Sequence, residues 1–120
     1  FQPERYRLGA MVMTITTVLE QENLLVQIGG ERVALHGRMA AVGTEPAAML
    51  TGRECQILGA LIESPGRVIS KGQLLEDIWG AADADAHVVE VTVGRLRRKL
   101  GPAGAGVETV VRRGYRVSTE

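Results

Sequence analysis

Hydrophobic positions change their period along this chain, and the changes mark its elements. Over residues 3–22, Leu8, Met11, Val12, Ile15, Val18 and Leu19 recur at spacings of three and four, which predicts one helical face. Pro3 and Glu4 suit the first turn of such a helix. The run Ile15-Thr16-Thr17-Val18 opposes that reading, because β-branched residues prefer strands. Two readings stay open: an amphipathic helix packed on the domain, or the tail of a preceding domain. From residue 24 the pattern shortens. Leu25–Ile28, Arg32–His36 and Met39–Val42 are brief apolar runs broken by Gly29-Gly30, Gly37 and Gly43, which predicts an antiparallel meander.

Helical spacing returns at Thr51-Gly52-Arg53-Glu54, a capping box ahead of the stripe Ile57, Leu58, Leu61 and Ile62. Ser64-Pro65-Gly66 ends that helix. Ser70-Lys71-Gly72-Gln73 is a second capping box, followed by Leu74, Leu75, Ile78 and Trp79, with Gly80 as the stop. The loop Ala81–Ala86 holds Asp83 and Asp85, either of which can cap the next helix.

Residues 88–93 pose a conflict. Val88, Val89, Val91, Thr92 and Val93 favour a strand by propensity, yet Val89, Val93, Leu96 and Leu100 fall on one helical face. Gly101 stands where a helix-ending glycine belongs, Pro102 follows, and Arg97, Arg98 and Lys99 lie where cations offset the helix dipole. A helix over His87–Leu100 satisfies more of these signals. Its outer face would carry His87, Val91, Gly94, Arg95 and Arg98, with Thr92 beside it and Arg97 and Lys99 turned sideways. Glu108–Val111 and Tyr115–Ser118 are strand-like and flank Arg112-Arg113-Gly114, a hairpin with a cationic tip.

Composition narrows what this architecture can do. The formal net charge is zero, but residues 87–120 carry +4 and residues 1–86 carry −4. A cationic face needs only such a local excess. Aromatic residues make up 3%, too few for a base-stacking platform. Arg95 or Arg98 could instead reach guanine edges, Val91 or the Thr92 methyl could touch thymine methyls, and Arg97 and Lys99 could meet phosphates. Arg112 and Arg113 at the hairpin tip suit a narrow minor groove. The competing reading is a basic, solvated helix end without a partner.

Cys55 is the single cysteine, so no intrachain disulfide and no cysteine-based zinc site can form, which fits a cytoplasmic protein. His36 reads as an exposed polar residue at a strand end. Asp83 and Asp85 alone make a poor metal site. No nucleophile–base pair or phosphate loop suggests an enzyme, no cofactor is implied, and no apolar run is long enough to span a membrane. The start at Phe1 fits a fragment or a processed product.

The order of elements, and several stretches within it, resembles the OmpR/PhoB-type winged-helix effector domain of bacterial response regulators. The matching residues are Leu50-Thr51 with Glu54, Pro65–Leu75, Ile78-Trp79-Gly80, Val89-Glu90-Val91, Arg95–Gly101, Thr109-Val110 and Gly114-Tyr115-Arg116. The resemblance implies an α+β fold: an N-terminal antiparallel sheet, three helices and a C-terminal β-hairpin wing, here over residues 24–120, with residues 1–23 as an extra helix or a remnant. It implies sequence-specific binding of double-stranded DNA, with helix 87–100 in the major groove and wing 108–118 on the minor groove. Family contact positions fall on His87, Val88, Val91, Thr92, Arg95, Arg97, Arg98 and Thr109. RNA polymerase is the implied partner of loop Gly80–Ala86, and a homodimer on direct repeats is a further implied assembly.

Two departures stand out. Gly94 replaces a common arginine, and Val111-Arg112 stand where the wing usually has Arg then Gly. Residues 2–12 also resemble the closing segment of a uroporphyrinogen-III-synthase-like domain, which some actinobacterial regulators fuse to this kind of winged helix. The alternative function is a winged-helix protein-interaction module that has lost DNA binding, which the neutral net charge and Gly94 would suit.

Overall fold

Four short strands open the computed structural model, which describes residues 23–80 and 85–119. They are β1 (Asn23–Ile28), β2 (Glu31–His36), β3 (Met39–Val42) and β4 (Ala48–Met49), paired in that order as an antiparallel sheet. The two-residue strand β4 had no alternation to reveal it. Register follows the glycine turns: Ile28 pairs with Glu31 and His36 with Met39. Ile28, Val33, Leu35, Ala40 and Val42 point inward and are buried, while Leu25 and Met49 are well exposed. The helix expected over residues 3–22, and with it the division at residue 23, lies outside the described residues.

Helix α1 (Gly52–Glu63) starts at the predicted capping box: the Glu54 amide donates to Thr51 Oγ1 at 3.2 Å, and the Thr51 amide donates to Glu54 Oε1 at 2.9 Å. Helix α2 (Lys71–Leu74) passes directly into a π turn over Leu75–Trp79. The second box forms by half. Ser70 Oγ accepts from the Gln73 amide at 3.0 Å, but the Gln73 side chain reaches forward to Asp77 Oδ1 at 2.8 Å instead of back to Ser70. Gly80 ends the turn in the left-handed region at φ 74°. The π turn puts one extra residue between hydrogen-bonded groups, which a three-and-four spacing does not announce.

Helix α3 runs over His87–Leu100, where the spacing placed it. Tertiary burial of its stripe outweighs the valines' strand propensity: Val89, Val93, Leu96 and Leu100 are fully buried, and each such side chain contributes about 1.5–3 kcal/mol. The chain then makes a 3₁₀ segment (Gly101–Gly106) rather than an open loop. Glycine is required here, since a Cβ on Gly106 would sit 2.4 Å from the Gly29 nitrogen at the β1–β2 turn.

The hairpin pairs β5 (Val107–Val110) with β6 (Gly114–Val117). Its strands begin one residue earlier than expected, so the tip is Val111-Arg112-Arg113 rather than Arg112-Arg113-Gly114. Gly114 belongs to the strand because its backbone presses on the segment before α2. A Cβ there would lie 2.0 Å from the Ile69 carbonyl oxygen. Ile69 and Tyr115 exchange both backbone hydrogen bonds, at 2.8 and 2.9 Å, which fastens β6 to the helical part. Sheet, three helices and hairpin thus share one core, in the winged-helix order.

Candidate nucleic-acid interface

The start of α3 is held by Asp85, whose Oδ1 accepts from the His87 amide at 2.9 Å. Asp83, the other expected cap, lies outside the described residues. With the buried stripe fixing the helix's rotation, His87, Glu90, Val91, Gly94, Arg95 and Arg98 are left on the outward side. His87, Glu90, Val91, Arg95 and Arg98 are exposed, and Gly94 is partly covered by its neighbours. A Cβ on Gly94 would meet nothing within 4 Å, so packing does not demand the glycine.

Glu90 belongs to this face, and the sequence reading passed over it. Its position three residues after His87 was the available signal. Its carboxylate lies 3.3 Å from Lys71 Nζ of α2 and 3.6 Å from His87 Nδ1. A negative group therefore stands among the cations, held from two sides.

Three predicted contact residues are placed elsewhere. Thr92 is 7% exposed, and its hydroxyl donates to the Val88 carbonyl at 2.7 Å, so it faces the core rather than a groove. A threonine can be buried in a helix because the carbonyl four residues back satisfies its hydroxyl. Lys99 donates to Glu54 Oε1 at 2.7 Å, and Glu54 is 1% exposed. That ammonium answers a buried carboxylate instead of standing free toward a phosphate. Arg97 turns to the hairpin: its Nε donates to the Val107 carbonyl and its Nη2 to Thr109 Oγ1, both at 2.7 Å. The same guanidinium lies 5.7 Å from the centre of the Tyr115 ring. Val88 is half-buried against the edge of the core.

On the hairpin, Thr109, Arg112 and Arg113 are exposed. Arg116 is paired with Glu108 at 2.8 Å. Arg112 holds φ 65°, a region that normally favours glycine, and the Arg113 amide closes the turn on the Val110 carbonyl at 2.9 Å. This conformation answers the altered tip sequence: Arg112 sits where the turn calls for a residue with positive φ. Burial raises the Tyr115 phenol above its usual pKa, while the nearby cations Lys71 and Arg97 pull the other way.

Among the described residues, the side chains of Arg95, Arg98, Arg112 and Arg113 have no ion-pair or hydrogen-bond partner, and each residue is exposed. An open groove lies between the end of α3 and β5, lined by Arg97, Arg98, Gly104, Val107, Thr109 and Arg116. At the far end of α2, Arg53 donates to the Ile78 carbonyl at 3.2 Å and stacks 4.9 Å from the centre of the Trp79 ring, just before the loop Gly80–Ala86. Cys55 is buried and His36 is exposed. The described residues contain no cluster of three His, Cys, Asp or Glu side chains that could hold a metal, and no helix among them is long and apolar enough to cross a membrane.

Comparison with known proteins bears on this arrangement. The sequence model of the family described as "Transcriptional regulatory protein, C terminal" matches residues 44–117. The transcriptional regulatory protein PrrA of Mycobacterium tuberculosis is 41% identical over 80 residues, covering 66% of this chain and 34% of PrrA. The two-component response regulator PhoP of Pseudomonas aeruginosa is 37% identical over 93 residues, covering 75% of this chain and 41% of PhoP. The chain thus spans well under half the length of these curated relatives. Among solved structures, the DNA-binding domain of the response regulator AdeR, crystallised with an intercistronic region, superposes with a TM-score of 0.56. It is 26% identical, with 68% of this chain and 86% of the AdeR chain covered.

Proposed function

The chain belongs to the family of transcriptional regulatory protein C-terminal domains, and from that premise we propose that it binds double-stranded DNA as the output domain of a bacterial transcription regulator. One observation carries the reading furthest. Among residues 87–119, the cations whose side chains are left without protein partners are Arg95, Arg98, Arg112 and Arg113, on a helix whose opposite face is buried and on the projecting tip of a hairpin packed against the core. Unpartnered arginines on a rigid helix suit direct readout in a major groove, and those on a projecting tip suit the backbone or minor groove of the next segment. His87, Val91, Arg95 and Arg98 form the proposed reading set, with Val88 at its edge. Arg112, Arg113 and Thr109 form the proposed wing contacts.

Selecting bound duplexes from a random pool, then titrating salt on the selected and a scrambled duplex, tests this. A preference for the selected site is expected. Arg95→Ala should cost about 1–3 kcal/mol on that site and relax base choice there. Equal affinity for both duplexes at every salt concentration would overturn sequence-specific binding.

Finer assignments rest on less. The loop Gly80–Ala86 is proposed as a surface for RNA polymerase, supported by the rigid anchor that Arg53, Ile78 and Trp79 provide at its start. A homodimer on direct repeats, the domain boundary at residue 23 and the synthase-like origin of residues 2–12 rest on the resemblances alone. The domain is proposed to act in the bacterial cytoplasm, and no catalytic role is proposed.

A further inference from the structure

β5 lies at the outer edge of the hairpin: its strand partner is β6 alone, and β6 is the strand fastened to Ile69. Besides the burial of Val107 in the core, the side chain that ties β5 to the helices is Arg97. It does so with two hydrogen bonds of 2.7 Å that reach both a backbone carbonyl (Val107) and a side chain two residues on (Thr109). The Tyr115 ring of β6, pinned by the Ile69 bridge, lies within cation–π reach of the same guanidinium. Arg97 therefore touches both strands of the wing from the helix that is proposed to read DNA.

We infer that Arg97 is a positioning residue, which sets the distance and angle between the reading helix and the wing, rather than a contact to DNA phosphate. The chemistry is specific to arginine. A planar fork holds a carbonyl and a hydroxyl from two separate, fixed nitrogens and still lies near a ring, whereas an ammonium offers all its donors from one nitrogen on a flexible stem. The residues of this helix's last two turns divide accordingly. Arg98 is free to meet DNA, Lys99 holds Glu54, and Arg97 holds the wing.

The inference rests on the DNA-binding reading for its consequence, but not for its test in the free protein. The decisive variant is Arg97→Lys, which keeps the positive charge and removes the fork. Amide hydrogen exchange at Glu108 and Val110, which pair with Arg116 and Gly114 of β6, should speed up about tenfold or more without DNA in Arg97→Lys and in Arg97→Ala alike, since each loses charge-assisted hydrogen bonds. Exchange within α1 should stay at the wild-type rate. Unchanged exchange in β5 would overturn the latch, whatever the protein does with DNA.

On the selected duplex, a phosphate contact predicts that Arg97→Lys binds nearly as well as wild type. A latch predicts that it binds as poorly as Arg97→Ala. A second background separates direct from indirect action. If Arg97 acts through the wing, Arg97→Ala should have no further effect once Arg112 and Arg113 are both replaced by alanine. A full additional loss in that background would return Arg97 to the DNA contacts. Failure of the wild-type protein to prefer any duplex would sink the DNA-binding reading and leave the exchange result standing on its own.

Discussion

Glu54 concentrates much of this chain's stability problem in one carboxylate. One oxygen accepts from the Thr51 amide and from Lys99, and the side chain is almost wholly withdrawn from water. The capping role was legible, because Thr51 and Glu54 stand three residues apart before an apolar stripe. The ion pair was not, because Lys99 is 45 positions away and sits in a run of cations that reads as solvated charge. Removing the ammonium leaves a buried carboxylate short of a partner. Lys99→Met should therefore lower stability by about 2–4 kcal/mol, read as a fall in the urea midpoint at unchanged m-value. Replacing both residues, Glu54→Gln with Lys99→Met, should recover part of that loss. If Lys99→Met is as stable as wild type, the pair contributes nothing and Lys99 is free for other work.

Helix α3 shows which signals survive translation into structure. Its rotation and both ends could be read, because four large apolar residues repeat on one face and a glycine marks the end. The inward turn of Thr92 was also implicit, since Val89, Thr92, Val93 and Leu96 fall on one face by position. The polar residue type hid it: a hydroxyl satisfied within its own helix carries no penalty that sequence polarity would suggest. The π turn after α2 had no signal at all. Gly94 offers a clean measurement on this element. It lies mid-helix, its backbone is ordinary, and a methyl group would meet nothing. Gly94→Ala should stabilise the protein by about 0.5–1 kcal/mol, raising the melting temperature by a few degrees. A fall in melting temperature would mean that a neighbour crowds this position in the folded protein, against the open space around it.

Taken together, the packing changes how the cationic third of the chain must be counted. The sequence offers seven Lys and Arg over residues 87–120, and the local charge excess counts all seven alike. In the fold Arg97, Lys99 and Arg116 are spent on Val107 and Thr109, Glu54 and Glu108. None of these partners is a sequence neighbour, which is why the division could not be read from spacing. The difference is measurable, since each cation that meets a phosphate contributes about 0.9 to the slope of log affinity against log salt. Arg112→Gln and Arg113→Gln should each flatten that slope by about 0.9 if they contact phosphate, while Lys99→Gln and Arg116→Gln should leave it unchanged. Loss of affinity in Lys99→Gln should vanish once the comparison is made on the folded fraction, because its cause is stability rather than charge. A slope that falls equally for all four would show that DNA pulls Lys99 and Arg116 out of their ion pairs, and that the whole cationic third acts as one undivided field.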